Sequence, residues 1–568
     1  MRNLHRLLGT VAIVSLLFAA CREELLITEA DTPTQEQPIA LKNGEATVLG
    51  KKLPNPYTVE NMNKAYNKLH GNSRTTQQLE ASHRYVRFLP RTNEEVAELV
   101  ADSTLSLYQH PLDYEVVSEG NYYQDPDLPK GALMTFYTVV EANHRFHYQA
   151  RHELLAELYL PDENDEELEN EAYRQKGMKP LPSSENARRY NPSGWIHVED
   201  NTLGRNVPLR NAHVRIKRLF RIENVRTNAS GYWYSPKKYR GKVTVKVIFE
   251  HPYVDIRSTF FETFWPAREK AYSTQDKPRA ARDVFRHGSK EWAWAMAFNG
   301  VMDYYEYCRR NGITTPPSNL KMYVHRKNGN PSFNGSAPMF DKGFKYYNIS
   351  WPRVRDWMTG IALTGVSTIV MNLIKETLPD VIINYNQNAP DEADFIETLY
   401  HELAHASHYA KVGNGFWSRY ISYIINNGAY GDGTNKDAPL AGISEAWGFH
   451  MGWFLAQDKY GARADRPVAV TENYLPREIG NGDGIGVVFG RLAGWIPAGI
   501  MQDLTDNNAD LVRAGFRDNV TGYSNRNLFN ALDKDVDSPQ DFRNRLLREN
   551  GNRDRADVED LFEAYFYN

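Results

Sequence analysis

His401 and His405 stand one helical turn apart, with Glu402 directly after the first, in the string His401-Glu402-Leu403-Ala404-His405. At about 100° per residue, positions i and i+4 project about 40° apart on one helix face. Two imidazole nitrogens placed so can meet on one metal ion. A carboxylate from the next position leans towards whatever the metal binds. It can take a proton from a water that zinc acidifies to a pKa of roughly 7. The chemistry this spacing allows is hydrolysis. The chain also holds a near twin, His152-Glu153-Leu154-Leu155-Ala156, in which Ala156 stands where the second histidine would be.

The elements that must position this turn are legible around it. Pro379-Asp380-Val381-Ile382-Ile383-Asn384-Tyr385 is β-branched and aromatic behind a proline and reads as a strand. Asn388-Ala389-Pro390-Asp391-Glu392 is a loop whose acidic residues suit a helix start. Phe395, Ile396, Leu399, Leu403 and Ala406 keep helical spacing, and Gly413 supplies a stop. This order of strand, loop and motif-bearing helix resembles zinc-dependent peptidases. A structural helix with two incidental histidines is the competing reading.

A catalytic zinc takes three protein ligands and keeps one position open. The metzincin pattern H-E-x-x-H-x-x-G-x-x-H fails, because His408 and Lys411 stand where its glycine and third histidine belong. Gluzincins instead take a glutamate from a second helix. Glu445-Ala446-Trp447-Gly448, within the aromatic and small-residue segment from Gly442 to Phe454, resembles the E-G-W-A and E-G-F-A strings that hold that ligand. The resemblance implies His401, His405 and Glu445 as zinc ligands and Glu402 as general base. Two departures stand out. Glu445 lies 40 positions beyond His405, about twice the usual separation, and Phe449 replaces the aspartate that commonly orients the first histidine. Asp432, Asp437 and Glu397 are the candidates to orient it instead. His450 is the alternative third ligand, and His408 reads as packing beside the site. A transition-state stabiliser is expected among His450, Tyr430 and Tyr409.

Arg2 and Arg6 precede an apolar stretch from Leu7 to Ala20 that is too short to span a bilayer. Its end, Leu17-Phe18-Ala19-Ala20-Cys21, resembles a bacterial lipobox, with Cys21 as the acylated residue anchoring the chain to a membrane. Arg22-Glu23-Glu24 resembles the export tag of surface-exposed lipoproteins in Bacteroidetes-type bacteria, which implies an outer-membrane, outward-facing location. With Cys21 lipidated, Cys308 remains as a core thiol and no intramolecular disulfide forms. A net charge of −4, from 67 basic and 71 acidic residues, gives no footprint for nucleic acid.

The expected organisation is multidomain. Residues 1–21 form the leader, 22–75 a flexible tether, 76–160 a small α+β domain and 161–191 an acidic linker with seven carboxylates between Asp162 and Glu171. Residues 192–260 alternate as strands. Gly194-Trp195-Ile196-His197-Val198, Pro208-Leu209-Arg210-Asn211-Ala212-His213-Val214 and Thr227-Asn228-Ala229-Ser230-Gly231-Tyr232-Trp233 resemble the carboxypeptidase regulatory-like, transthyretin-like all-β sandwich. Residues 261–568 form the α+β zincin-like domain, with a helical region from Ala281 to Gly312 and a Pro497-kinked helix from Val487 to Thr505. Residues 480–486 are a glycine-rich cleft-rim loop. The resulting expectation is a lipid-anchored zinc metallopeptidase acting on extracellular proteins or peptides. Its alternatives are a non-catalytic surface binding lipoprotein and a zinc amidohydrolase acting on peptidoglycan or glycan-linked amides.

Overall fold

Side-chain alternation decides which face of each strand is buried, and the sheets follow from it. A computed structural model of the 568-residue chain describes residues 47–71, 78–102, 104–118, 123, 125–128, 134–146, 151–162, 165–180, 190–257, 268–274, 281–326, 334–358, 378–385, 392–427, 430–461, 495–507, 511–513, 515–565 and 567. The expected leader with Cys21 and the 480–486 loop lie outside the described residues.

The first elements are β1 (Val48–Lys52), α1 (Val59–His70), β2 (His83–Phe88), α2 (Asn93–Ala101), β3 (Tyr114–Ser118), β4 (Phe136–Glu141), β5 (His152–Leu158) and α3 (Glu166–Gln175). β2 lies antiparallel between β4 and β5, and β1 pairs with β3. The near-twin motif at His152 is on strand β5, where Glu153 pairs with Arg87 at 2.6 Å.

Two expectations are corrected here. The tether expected over 22–75 includes ordered chain, since α1 buries Met62 and Ala65 and its Asn61 Nδ2 donates to the Ala172 carbonyl of α3. The acidic linker expected over 161–191 includes α3, whose Leu168, Ala172 and Tyr173 are buried. Glu169 accepts the Tyr57 hydroxyl at 2.5 Å and Arg240 Nη2 at 2.8 Å, with Arg221 at 3.6 Å. Burial raises the Glu169 pKa, but Arg221, Tyr57 and Arg240 outweigh it and hold the carboxyl below its ordinary range. Composition alone registered the charge of this run and missed its helical spacing.

Next come β6 (Ser193–Asp200), β7 (Arg205–Pro208), β8 (His213–Arg218), β9 (Arg221–Arg226), β10 (Tyr232–Tyr234), β11 (Val243–Ile248), β12 (Glu250–His251), β13 (Val254–Arg257), β14 (Arg268–Thr274) and β15 (Ala281–Phe285). One sheet runs β10-β6-β15 with β7 on β6, and another β14-β11-β8-β9. Ile196 and Val198 of the first share a buried core with Val214, Ile216, Val243, Val245 and Val247 of the second. Strand pairing crosses the boundary expected at residue 260 in both directions. β13 leaves to pair with a strand that begins at Leu320, while β14 and β15 return to the two earlier sheets. The helical region expected from Ala281 therefore opens as a strand, and Gly288 at φ 81° turns the chain into the helix that follows.

That helix, α4 (Lys290–Asn311), is capped by the Ser289 hydroxyl and ends at left-handed Gly312, with Cys308 buried in the core. β16 (Leu320–Arg326), β17 (Asn334–Ser336) and β18 (Val381–Tyr385) complete a sheet ordered β12-β13-β16-β18-β17. Its three inner strands are parallel, and β17 runs antiparallel along the edge. Then follow α5 (Glu392–Asn427) and α6 (Ala438–Tyr460), and four shorter helices, α7 (Ile500–Thr505), α8 (Asn525–Ala531), α9 (Pro539–Glu549) and α10 (Arg555–Ala564). Pro497 precedes α7, so among the described residues it does not kink a helix. No helix of the described residues is long and apolar enough to cross a membrane. The fold is mixed α+β.

Glu169→Gln removes the buried carboxylate that Arg240 meets at 2.8 Å and leaves that buried guanidinium only the more exposed Glu166, at 3.5 Å. The expected loss is about 3 kcal/mol of stability, read as a shift of the urea midpoint at unchanged slope. A change within about 0.5 kcal/mol, as at an ordinary solvated position, would contradict the buried network.

Candidate metal centre

All five residues of β18 are buried, and the chain returns from it into α5, whose Phe395, Ile396, Leu399, Leu403 and Ala406 pack into the core. That apolar face fixes the rotation of the helix and turns His401 and His405 towards α6. Two glycines let α6 come close. A Cβ at Gly452 would lie 2.9 Å from the Glu397 carbonyl oxygen, and one at Gly448 would lie 2.8–2.9 Å from the imidazoles of His401 and His405. Trp447 Nε1 donates to the Ala404 carbonyl across the same crossing, at 3.3 Å.

Glu445 is thereby delivered to the two histidines. His401 Nε2 and His405 Nε2 are 3.0 Å apart, and Glu445 Oε2 lies 3.3 Å from the first and 3.5 Å from the second. Ligand bonds of 2.0–2.1 Å at a tetrahedral zinc put neighbouring donors about 3.3 Å apart. The three atoms therefore have the spacing of one face of such a tetrahedron. Nitrogen, nitrogen and carboxylate oxygen are a donor set suited to zinc. Among the described residues this is the one cluster of histidine, cysteine and carboxylate groups with ligand spacing.

Electrostatics within the cluster are strong because its groups are buried. Burial works against the Glu445 charge, yet His405 and His401 outweigh it and hold that carboxyl below its ordinary range. Burial, opposed by Glu445, lowers the His401 pKa, which favours the neutral imidazole a metal needs. Burial and the charge of Glu445 push Glu402 well above the ordinary carboxylate range. Glu402 Oε2 is buried and has no hydrogen-bond partner among the described residues. Its other side is closed by edge strand β17, where a Cβ at Gly335 would lie 2.6 Å from Glu402 Cγ and Oε1.

Other expected residues divide. Tyr430 comes to the site: burial and then the carboxylates of Glu445 and Glu402 drive its pKa well above the ordinary phenol. His450 does not. It is five positions from Glu445, about 140° around the helix, and its Nε2 bonds to Asn525 Oδ1 at 2.7 Å. Burial pushes it down to about 4, so it is a neutral structural histidine rather than a third ligand or a stabiliser. Tyr409 donates to Asn414. His408 packs between Phe416 and Trp417, outside the ligand cluster. Lys411, at the metzincin third-ligand position, turns away to cap the Phe529 and Asn530 carbonyls at the end of α8. Asp432 bonds Thr434 and Asp437 pairs with Arg419, so neither orients an imidazole. His401 instead meets the Phe449 ring edge-to-face at 4.5 Å.

Tyr420 is the residue sequence reasoning missed. Its hydroxyl donates to Glu445 Oε1 at 2.5 Å and lies 3.4 Å from His405 Nε2. In an unbroken helix, 15 residues would carry it about 22 Å along the axis from His405. Gly413, at φ 78° and ψ −175°, breaks α5 and folds the second segment back. That conformation is essentially restricted to glycine. Gly413 was expected to stop the helix; it redirects it.

No protein-family model and no curated protein matches the chain.

Gly448→Ala should weaken the binding of added zinc to His401, His405 and Glu445 by about 10–100-fold, since its methyl group would lie 2.8–2.9 Å from both imidazoles. Competition with a chromophoric chelator measures this, and wild-type affinity in that variant would refute the cradle.

Proposed function

We propose that this chain is a zinc-dependent metallopeptidase of gluzincin type, anchored at the cell surface through a lipid on Cys21. The carrying observation is the buried set His401, His405 and Glu445 with Glu402 beside it. His401, His405 and Glu445 would hold the metal. Zinc, when bound, would supply the Lewis acidity that acidifies water and polarises the scissile carbonyl. Glu402 would take the proton from the attacking water and return it to the leaving amine. Tyr430 is the candidate hydrogen-bond donor to the oxyanion.

An extended peptide is the substrate class that the surroundings favour. β17 is the last strand of its sheet among the described residues, and Gly335 brings its backbone against Glu402. An edge strand offers main-chain groups to an extended chain, which would cross the site beside the base. The paired four-stranded sheets support the carboxypeptidase regulatory-like reading of residues 192–260, extended by β14 and β15 and with β12 and β13 given to the neighbouring sheet. In a purely binding lipoprotein, Glu402 would have no reason to stand beside the cluster. A zinc amidohydrolase would use the same residues on a different amide.

Purified protein digested against a peptide library and against muropeptides separates these readings. Peptide cleavage is expected, with Glu402→Gln retaining zinc and losing about 10²–10⁴-fold in rate. Cleavage of muropeptides alone would favour the amidohydrolase, and undiminished activity in Glu402→Gln would remove Glu402 as the base.

A further inference from the structure

We propose that Tyr420 is a positioning residue that makes Glu445 a one-oxygen ligand and keeps a coordination position open. The inference rests on the zinc reading above and concerns how the third ligand is held. Glu445 has two oxygens with different neighbours. Oε2 faces the imidazoles, at 3.3 Å from His401 Nε2 and 3.5 Å from His405 Nε2. Oε1 accepts the Tyr420 hydroxyl at 2.5 Å. An ionised carboxylate can only accept, so the phenol is the donor, and the short separation is that of a charge-assisted bond.

Tyr430 also hydrogen-bonds the Glu445 side chain, and the Tyr420 bond is the one made to Oε1 at 2.5 Å. The carboxylate arrives from a different helix, 40 positions beyond His405, and no aspartate stands at position 449 to organise the site. A glutamate side chain free to rotate could present both oxygens to a metal, filling the position that water or substrate requires. Tyr420 engages the other oxygen, from a hydroxyl that also lies 3.4 Å from His405 Nε2. The tyrosine is itself held, with its ring 4.7 Å from Trp417 and 5.4 Å from His405, and is 4 % exposed. The Gly413 break returns it to this place. The histidine ligands and the residue that orients the glutamate ligand thus come from one stretch of chain folded on itself.

The test uses the purified full chain and zinc alone, with affinity read by chelator competition for the wild type and for Tyr420→Phe. The expected result is zinc bound by the wild type and affinity 10–100-fold weaker in Tyr420→Phe, with an unchanged melting temperature of the metal-free protein. Wild-type affinity in Tyr420→Phe would overturn the positioning role and leave the zinc site standing. A wild type that binds no zinc would overturn the site itself. If the variant does not fold, a crystal structure of the zinc-loaded wild type decides. One Glu445 oxygen on zinc, with Tyr420 on the other, supports the proposal. Both Glu445 oxygens on zinc, or the Tyr420 oxygen itself as a ligand, overturn it.

Discussion

The close approach of α6 to α5 governs the rest of the structure. A carboxylate and two imidazoles repay burial together only if their polar atoms meet, because each alone would be a desolvated group without a partner. Meeting requires the helix backbones to approach closer than side chains normally allow. Gly448 and Gly452, one turn apart on α6, provide that approach, and a Cβ at either would strike α5. Glu445 is one turn from Gly448 on the same helix, so the contact that brings the backbones together also delivers its carboxylate to the two imidazoles. Helix–helix packing and the geometry of the candidate site are here one constraint.

Both helices are held at their outer ends by one turn of the β6–β7 hairpin. At the start of α5, Glu392 accepts from the Asn201 amide at 3.0 Å and the Thr202 hydroxyl at 2.9 Å, with His287 Nε2 at 3.1 Å. At the end of α6, the Tyr460 hydroxyl donates to Asp200 at 3.2 Å. The sheet of β6 and β7 therefore reaches the helices that carry His401, His405 and Glu445 by direct hydrogen bonds. β13, β14 and β15 pass back and forth between those sheets and the one under α5. The strand module and the helical part are joined through backbone ladders as well as side chains.

What could be read from sequence was what depends on short-range spacing. The i,i+4 pair of histidines, the strand before it and the apolar face from Phe395 to Ala406 are local patterns, and Glu445 followed from ligand chemistry and a short resemblance. His450 and Tyr420 show the limit. His450 had the right residue type near the right place, but the α6 rotation that points Glu445 at His401 sends His450 to Asn525. Tyr420 looked remote because its placement depends on the backbone of one glycine. The acidic run of α3 failed for another reason: its arginine partners lie 52 and 71 positions from Glu169, beyond any local window. Strands β14 and β15 likewise take their sheet partners from strands that no local pattern specifies.

The most direct measurement is anomalous diffraction at the zinc absorption edge, from crystals of protein purified without chelator. The account predicts one peak within bonding distance of His401 Nε2, His405 Nε2 and Glu445 Oε2. A zinc peak ligated by other residues, or no peak between these three while zinc is present in the crystal, would contradict it.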